Sequence, residues 1–129
     1  MDETDHSRGM PHATARAVGA YGERLATRYL SDRGMAILDR NWRCAWGEID
    51  IVAQDGPCLV VCEVKTRRGV AFGSPVEAVD VRKLARLRRL AATWLAEHDG
   101  HPQDVRVDVV GVLRPHAGPA RVEHLVGVV

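Results

Sequence analysis

Residues 47–66 read GEIDIVAQDGPCLVVCEVKT, and this stretch decides the fold. Polar and apolar residues alternate over 48–53, which predicts a strand. The turn residues Asp-Gly-Pro follow at 55–57, and the apolar run over 58–66 predicts a second strand. The two strands therefore form a β-hairpin, and its pairing determines which polar side chains can meet.

Helices and further strands are predicted on both sides of this hairpin. The predicted elements are a helix over 15–33, strands over 35–42, 48–53, 58–66, 105–113 and 122–129, and a helix from 74 to about 100. The second helix begins with the capping box Ser74-Pro75-Val76-Glu77 and can break near Asp80. It lies between the third and fourth strands, where a crossover joins parallel neighbours. We therefore predict an α/β fold with a mixed central sheet flanked by helices.

Length and composition limit the class of protein. The 129 residues fit one domain, which we place at 15–129 behind a disordered tail at 1–14. The chain is 46% apolar and 27% charged, which is typical of a globular protein, and we expect neither a membrane span nor a secretory signal. The three cysteines contain no CxxC pair, so free thiols in a reducing cytoplasm are expected.

Charge is concentrated on one segment although the whole chain carries only +1. Residues 64–90 hold eight basic and two acidic side chains, a net charge of +6. Such a segment can attract a polyanion, and it can equally be a solvated helix face. Sixteen of the 18 basic residues are Arg, so Lys65 and Lys83 are candidates for chemistry that Arg cannot perform.

Carboxylates of the hairpin form the main candidate site. Alternation places Glu48 and Asp50 on one face of their strand and Glu63 and Lys65 on one face of the next. Cross-strand pairing can bring Asp50 beside Glu63. Two carboxylates with water suit Mg²⁺ or Mn²⁺, and a neighbouring lysine could orient a water or balance phosphate charge. A cross-strand ion pair with Lys65 is the alternative interpretation.

These residues resemble a known family. Asp50 followed by Glu63-x-Lys65 across a hairpin, behind a helix that carries Glu23, is similar to the active-site pattern of the PD-(D/E)xK, or restriction-endonuclease-like, nucleases. More narrowly, the chain looks like the bacterial YraN family, which is similar to Holliday junction resolvases. The motifs that carry this resemblance are GE at 22–23, GEID at 47–50, VCEVKTR at 61–67 and VDVV at 107–110. Ile49 stands where the name-giving proline would be, and a proline supplies no metal ligand.

The resemblance implies a restriction-endonuclease-like fold and assigns roles to individual residues. Asp50 and Glu63 would be metal ligands together with the carbonyl of Val64, Lys65 the catalytic lysine, and Glu23 part of the acidic cluster. Glu48 is left either as a ligand of a second ion or as a partner of an arginine. Side chains suited to DNA phosphates are Arg67, Arg68, Ser74, Lys83, Arg86 and Arg89. Asp108 fits a structural carboxylate better than a ligand.

The predicted function is metal-dependent hydrolysis of phosphodiester bonds in DNA, with Mg²⁺ or Mn²⁺ as cofactor and branched or structured DNA as a substrate. The alternative is a nucleic-acid-binding module without turnover, and a third is a protein-interaction domain on a nuclease scaffold. A homodimer would match the symmetry of a DNA junction, and the sequence leaves the oligomeric state open. Trp42 and Trp46 fit the core or its rim better than a base-stacking role.

Overall fold

The chain folds in the predicted order α-β-β-β-α-β-β in a computed structural model that describes residues 12–68 and 80–128. The elements are α1 (His12–Asp32), β1 (Ala36–Cys44), β2 (Gly47–Asp55), β3 (Cys58–Arg68), α2 (Val81–Glu97), β4 (Asp104–Arg114) and β5 (Arg121–Leu125). Every predicted strand is present, and the hairpin at 47–66 is the β2–β3 pair.

The five strands form one mixed sheet in the order β1-β2-β3-β4-β5. β1, β2 and β3 are antiparallel neighbours, β3 and β4 are parallel, and β5 returns antiparallel to β4. Because parallel neighbours need a crossover, α2 lies between β3 and β4 in the chain. The predicted α/β domain with a mixed central sheet is therefore confirmed.

The core has two layers, one on each face of the sheet. On one face, the apolar side of α2 packs against β2, β3 and β4, with Leu84, Leu87 and Trp94 buried. On the other face, α1 buries Ala26 and Leu30. The central strand β3 faces both layers, which explains its nearly continuous apolar run at 58–62. In the part of the chain that the structure describes, neither helix combines the length and apolar character needed to cross a bilayer.

The start of α2 coincides with the predicted break near Asp80, and the end of β5 differs from the prediction. The described α2 begins at Val81, where the Asp80 carboxylate accepts a hydrogen bond from the Arg82 N–H at 2.9 Å as an N-cap. The predicted cap at Ser74 lies outside the described residues. β5 ends at Leu125 and not at Val129, because Gly127 adopts a positive φ of 64° and donates its N–H to Asp108.

Gly22 lets α1 approach β3 closely. A Cβ at this position would overlap the Oγ1 of Thr66, so only glycine leaves room for the strand. The contact also fixes α1 beside β3 at the level of the neighbouring Glu23.

We expect Gly22→Ala to destabilise the protein by about 1–3 kcal/mol, the usual effect of overpacking, although alanine favours helices intrinsically. Gly19→Ala is the matched control on the same helix, because an added Cβ there meets nothing within 4 Å. It should leave stability unchanged or raise it by up to about 1 kcal/mol. Urea unfolding of both variants measures the difference, and equal stabilities would contradict the proposed close approach.

Candidate active site

The candidate site lies where β2 and β3 separate. Their ladder runs from Asp55 paired with Cys58 to Ile51 paired with Cys62. One step further in the same register, Asp50 lies opposite Glu63. There the Val64 N–H donates a hydrogen bond to the Asp50 carboxylate at 2.8 Å. The Asp50 side chain thus accepts the bond that a backbone carbonyl of β2 would accept in a regular sheet. The predicted meeting of Asp50 with the Glu63 segment is therefore present.

A cleft of about 260 Å³ opens at this point between α1 and α2. Four acidic side chains line it, one from α1, two from β2 and one from β3. They are Glu23, Glu48, Asp50 and Glu63. Val64 and Thr66 of β3 add to the wall, and α2 contributes Lys83 and Arg86. Each acidic residue predicted for the site thus lines the same cleft as Lys83 and Arg86, two of the phosphate-binding candidates of α2.

Burial makes the acidic cluster electrostatically unfavourable. It raises the pKa of Asp50 to about 8, and the charge of Glu63 adds to this effect, as do Glu23 and Glu48 more weakly. The hydrogen bond from the Val64 N–H acts in the opposite direction. Asp50 therefore holds its negative charge poorly, and a cation placed beside it would relieve the repulsion.

Both lysines of the chain contact the same carboxylate oxygen. Glu63 is only 5% exposed. Its Oε2 atom forms ion pairs with the Lys65 ammonium at 3.5 Å and with the Lys83 ammonium at 2.8 Å. The two lysines differ in burial, because the side chain of Lys65 is 7% exposed and that of Lys83 is 45% exposed. The sequence singled out both residues but gave no sign that they meet, since the helical face on which Lys83 lies depends on how α2 packs.

Glu48 lies at the rim of the cleft. Its side chain is 37% exposed and forms an ion pair with Arg43, whose Nε lies 3.5 Å from the Glu48 carboxylate. Of its two alternatives, the pairing with an arginine is the one present here.

The donors of the cleft match a hard divalent cation. Among the described residues, no three His, Cys, Asp or Glu side chains form a ready metal-binding group. A Mg²⁺ site can also be built from one or two carboxylates, with water completing the octahedron. Asp50 and Glu63 would supply those carboxylates and Val64 a carbonyl oxygen. A cation at Glu63 would have to share or displace the lysine contacts.

The other candidates for phosphate binding lie around this centre. Arg86 lines the cleft, whereas Arg89 lies on the exposed side of α2. Arg67 and Arg68 are the last two residues of β3. Ser74 lies outside the described residues.

Asp108 lies apart from the cleft and is completely buried on β4. Its carboxylate accepts hydrogen bonds from Arg106, His124 and the Gly127 N–H at 2.7–3.0 Å. This arrangement supports the structural role expected from the sequence. The hydrogen-bond partners of Asp108 lie up to 19 residues away along the chain, and no sequence motif indicated them.

Fold and site together define a class of protein. The chain is a single α/β domain with a restriction-endonuclease-like fold and an acidic cleft where two strands part. Residues 22–112 match the model of the "Uncharacterised protein family UPF0102". The chain belongs to this family, and the resemblance to the YraN family is confirmed.

Individual relatives cover nearly the full length. A UPF0102 protein of Beutenbergia cavernae is 64% identical over 112 residues, which is 87% of this chain and 95% of the relative. One from Kineococcus radiotolerans is 61% identical over 121 residues, covering 92% and 99%. A third, from Streptomyces coelicolor, is 59% identical over 114 residues, covering 87% and 88%.

Proposed function

We propose that this protein is a metal-dependent nuclease that hydrolyses phosphodiester bonds in branched or otherwise structured DNA. The observation that carries the proposal is the convergence of Asp50, Glu63 and Lys65 at the point where β2 and β3 separate. Buried carboxylates close to one another are unfavourable for stability alone, so such clusters are candidates for functional sites.

Asp50 and Glu63, with the carbonyl of Val64, are the residues that would hold Mg²⁺ or Mn²⁺. When bound there, the cation would supply a Lewis acid for the phosphoryl oxygen and would lower the pKa of a coordinated water. Glu23 lines the same cleft from α1 and adds negative charge that strengthens the preference for a cation. Repulsion between the Asp50 and Glu63 carboxylates supports the assignment, because a divalent ion would compensate it.

Lys65 is proposed to assist the attack on phosphorus. Its ammonium lies 3.5 Å from Glu63. Beside a cation held by Glu63, this ammonium would orient the attacking water or balance charge that develops on the phosphate. Lys83 approaches the same carboxylate from α2 and is more exposed. It is suited to hold a phosphate at the mouth of the cleft.

The DNA surface that we propose extends along α2 from the cleft. Lys83, Arg86 and Arg89 follow one another at three-residue spacing on this helix, and Arg67 and Arg68 end the neighbouring strand. Contacts of this kind position a phosphate backbone and read no base sequence. We therefore propose that the protein recognises the shape of its DNA substrate and not its base sequence. We also propose that the protein is cytoplasmic and acts as a homodimer on a two-fold symmetric branch point.

A second candidate function is nucleic-acid binding without turnover. One observation favours it, which is that Glu63 Oε2 already contacts two ammonium groups. A site that keeps these contacts in the presence of DNA would retain a basic surface and have no room for a cation at Glu63.

Cleavage assays separate the two functions. The parent protein is incubated with a four-way junction, a flap, a single strand and a linear duplex, each with Mg²⁺, Mn²⁺ or EDTA. Cleavage that requires the metal is expected on at least one branched DNA. Binding to these DNAs without any cleavage would contradict the nuclease and favour the binding module.

We expect Asp50→Asn to lower Mn²⁺ affinity at least about tenfold. Mutation of residues that merely hydrogen-bond to a metal ligand already lowers metal affinity by about this factor. The change removes one charge and almost no volume, and the amide oxygen can still accept from the Val64 N–H. Calorimetric titration with Mn²⁺ measures the affinity, and circular dichroism verifies the fold. Asp104→Asn, at an exposed carboxylate outside the cleft, is the control. Unchanged affinity in folded Asp50→Asn would remove Asp50 from the ligand set.

A further inference from the structure

The side chain of Trp46, at the turn between β1 and β2, is exposed to solvent. It is 76% exposed, the largest fraction among the exposed large apolar side chains of the described chain. Placing an indole in water is unfavourable, so burial of large aromatic side chains is the usual outcome. Trp42 fits the expected core or rim role, because it packs against the α2 side of the core. Trp46 is mostly exposed instead.

The turn that carries Trp46 is fixed on α2. Gly47 adopts a φ of 148°, and a Cβ there would meet the Leu90 side chain at 3.1 Å, so the backbone lies directly on the helix. The Trp46 N–H donates to the Cys44 sulfur at 3.4 Å. These contacts set the position of the residue whose ring projects into solvent.

Next to the indole lies a groove of about 380 Å³ with cationic walls. It is lined by Trp46 and by four residues of α2 at i, i+3, i+4 and i+7, which share one face of the helix. These are Arg86, Arg89, Leu90 and Thr93. Arg86 and Leu90 also line the acidic cleft, so the groove adjoins the cleft.

We propose that this groove binds an unpaired nucleotide of the DNA substrate, with the base stacked on Trp46 and its phosphates on Arg86 and Arg89. Bases inside a duplex are already stacked on both faces and leave no face for an indole, whereas a single-stranded tail or a splayed branch point does. The two arginines match the charge of the DNA backbone and oppose the docking of a second, equally basic copy of this surface. The inference rests on the proposed function, because it names the part of the DNA that lies beside the cleft.

The test compares binding of two DNAs in EDTA, where no cleavage takes place. The probes are a blunt 12-base-pair duplex and the same duplex with a single-stranded tail of six thymidines, both followed by fluorescence anisotropy. We expect Trp46→Ala to weaken binding of the tailed DNA about tenfold and to leave the blunt duplex within about twofold. Trp46→Phe keeps an aromatic face and should restore most of the affinity. Leu38→Ala, another exposed apolar residue that lines neither cavity, is the control.

Other outcomes overturn the inference. Equal effects of Trp46→Ala on both DNAs, or no effect on either, would show that no base stacks on the indole. A change in sedimentation of Trp46→Ala without DNA would instead identify the groove as an interface between copies of this chain. The proposed nuclease fails separately, through absence of cleavage by the parent protein, and a selective loss of tailed DNA would then still support the groove.

Discussion

Cleavage by Lys65→Arg is expected to fall at least about a thousandfold, while DNA affinity stays within about threefold of the parent protein. Acid–base assistance by a positioned side chain contributes roughly 10²–10⁴ to a rate. Arginine keeps the positive charge, but its guanidinium is planar, larger and essentially never deprotonated. The side chain of Lys65 is 7% exposed and lies against Glu63, so a guanidinium must shift either itself or that carboxylate.

Lys83→Arg is the matched control for this prediction. Lys83 contacts the same Glu63 oxygen, and its 45% exposure leaves room for the larger head group. We expect its cleavage rate to stay within about tenfold of the parent, since arginine also binds phosphate well. Single-turnover rates in Mg²⁺ and anisotropy titrations in EDTA supply the two readouts. If Lys65→Arg does not fold, the smaller Lys65→Gln replaces it, and cleavage retained in either folded variant would remove the catalytic role.

The hairpin and its carboxylates were predictable because their signals are local. A period of two places Asp50 on a defined face, and the short turn at 55–57 brings its strand beside the next one. The meeting of Asp50 with the Glu63 segment follows from those two facts alone. The parallel pairing of β3 and β4 was predictable for a similar reason, since the long helix between them can serve as a crossover.

Features that depend on packing between distant elements were not predictable. The contact of Lys83 with Glu63 depends on the rotation of α2 about its axis. The exposure of Trp46 depends on where the β1–β2 turn meets that helix, and a tryptophan by itself favours burial. The early end of β5 depends on a hydrogen bond from Gly127 to a carboxylate on another strand. None of these contacts leaves a periodic pattern in the sequence.

Asp108 organises a buried polar cluster outside the cleft. Arg106 donates to both of its oxygens, through Nε at 2.9 Å and Nη2 at 3.0 Å. His124 on β5 lies 2.7 Å away, and the Gly127 N–H donates at 3.0 Å. The carboxylate thus joins β4 to β5 and to the segment that follows β5. Burial alone would raise the pKa of Asp108, but these hydrogen bonds hold it below its usual range.

Asp108→Ala is expected to destabilise the protein by about 3–5 kcal/mol, the range for breaking a buried ion pair from one side. The substitution leaves the Arg106 guanidinium, the His124 ring and the Gly127 N–H without their common acceptor. Urea unfolding at neutral pH measures the loss. Asp55→Ala is the control within the same cluster, because Asp55 is 42% exposed and contacts only the outer Nη1 of Arg106 at 3.1 Å. That change should remove less than about 1 kcal/mol, as surface ion pairs usually do.

The pH dependence of stability gives an independent test of the same carboxylate. Because the pKa of Asp108 is lower in the folded than in the unfolded chain, its contribution is complete at neutral pH. The contribution is lost as the pH falls below about 4 and through the folded-state pKa. The parent protein should therefore lose stability in this acidic range more steeply than Asp108→Ala, and the two unfolding free energies should converge. Parallel curves from pH 7 to pH 2 would mean that the charge of Asp108 contributes nothing, and that the variant is destabilised only by lost packing.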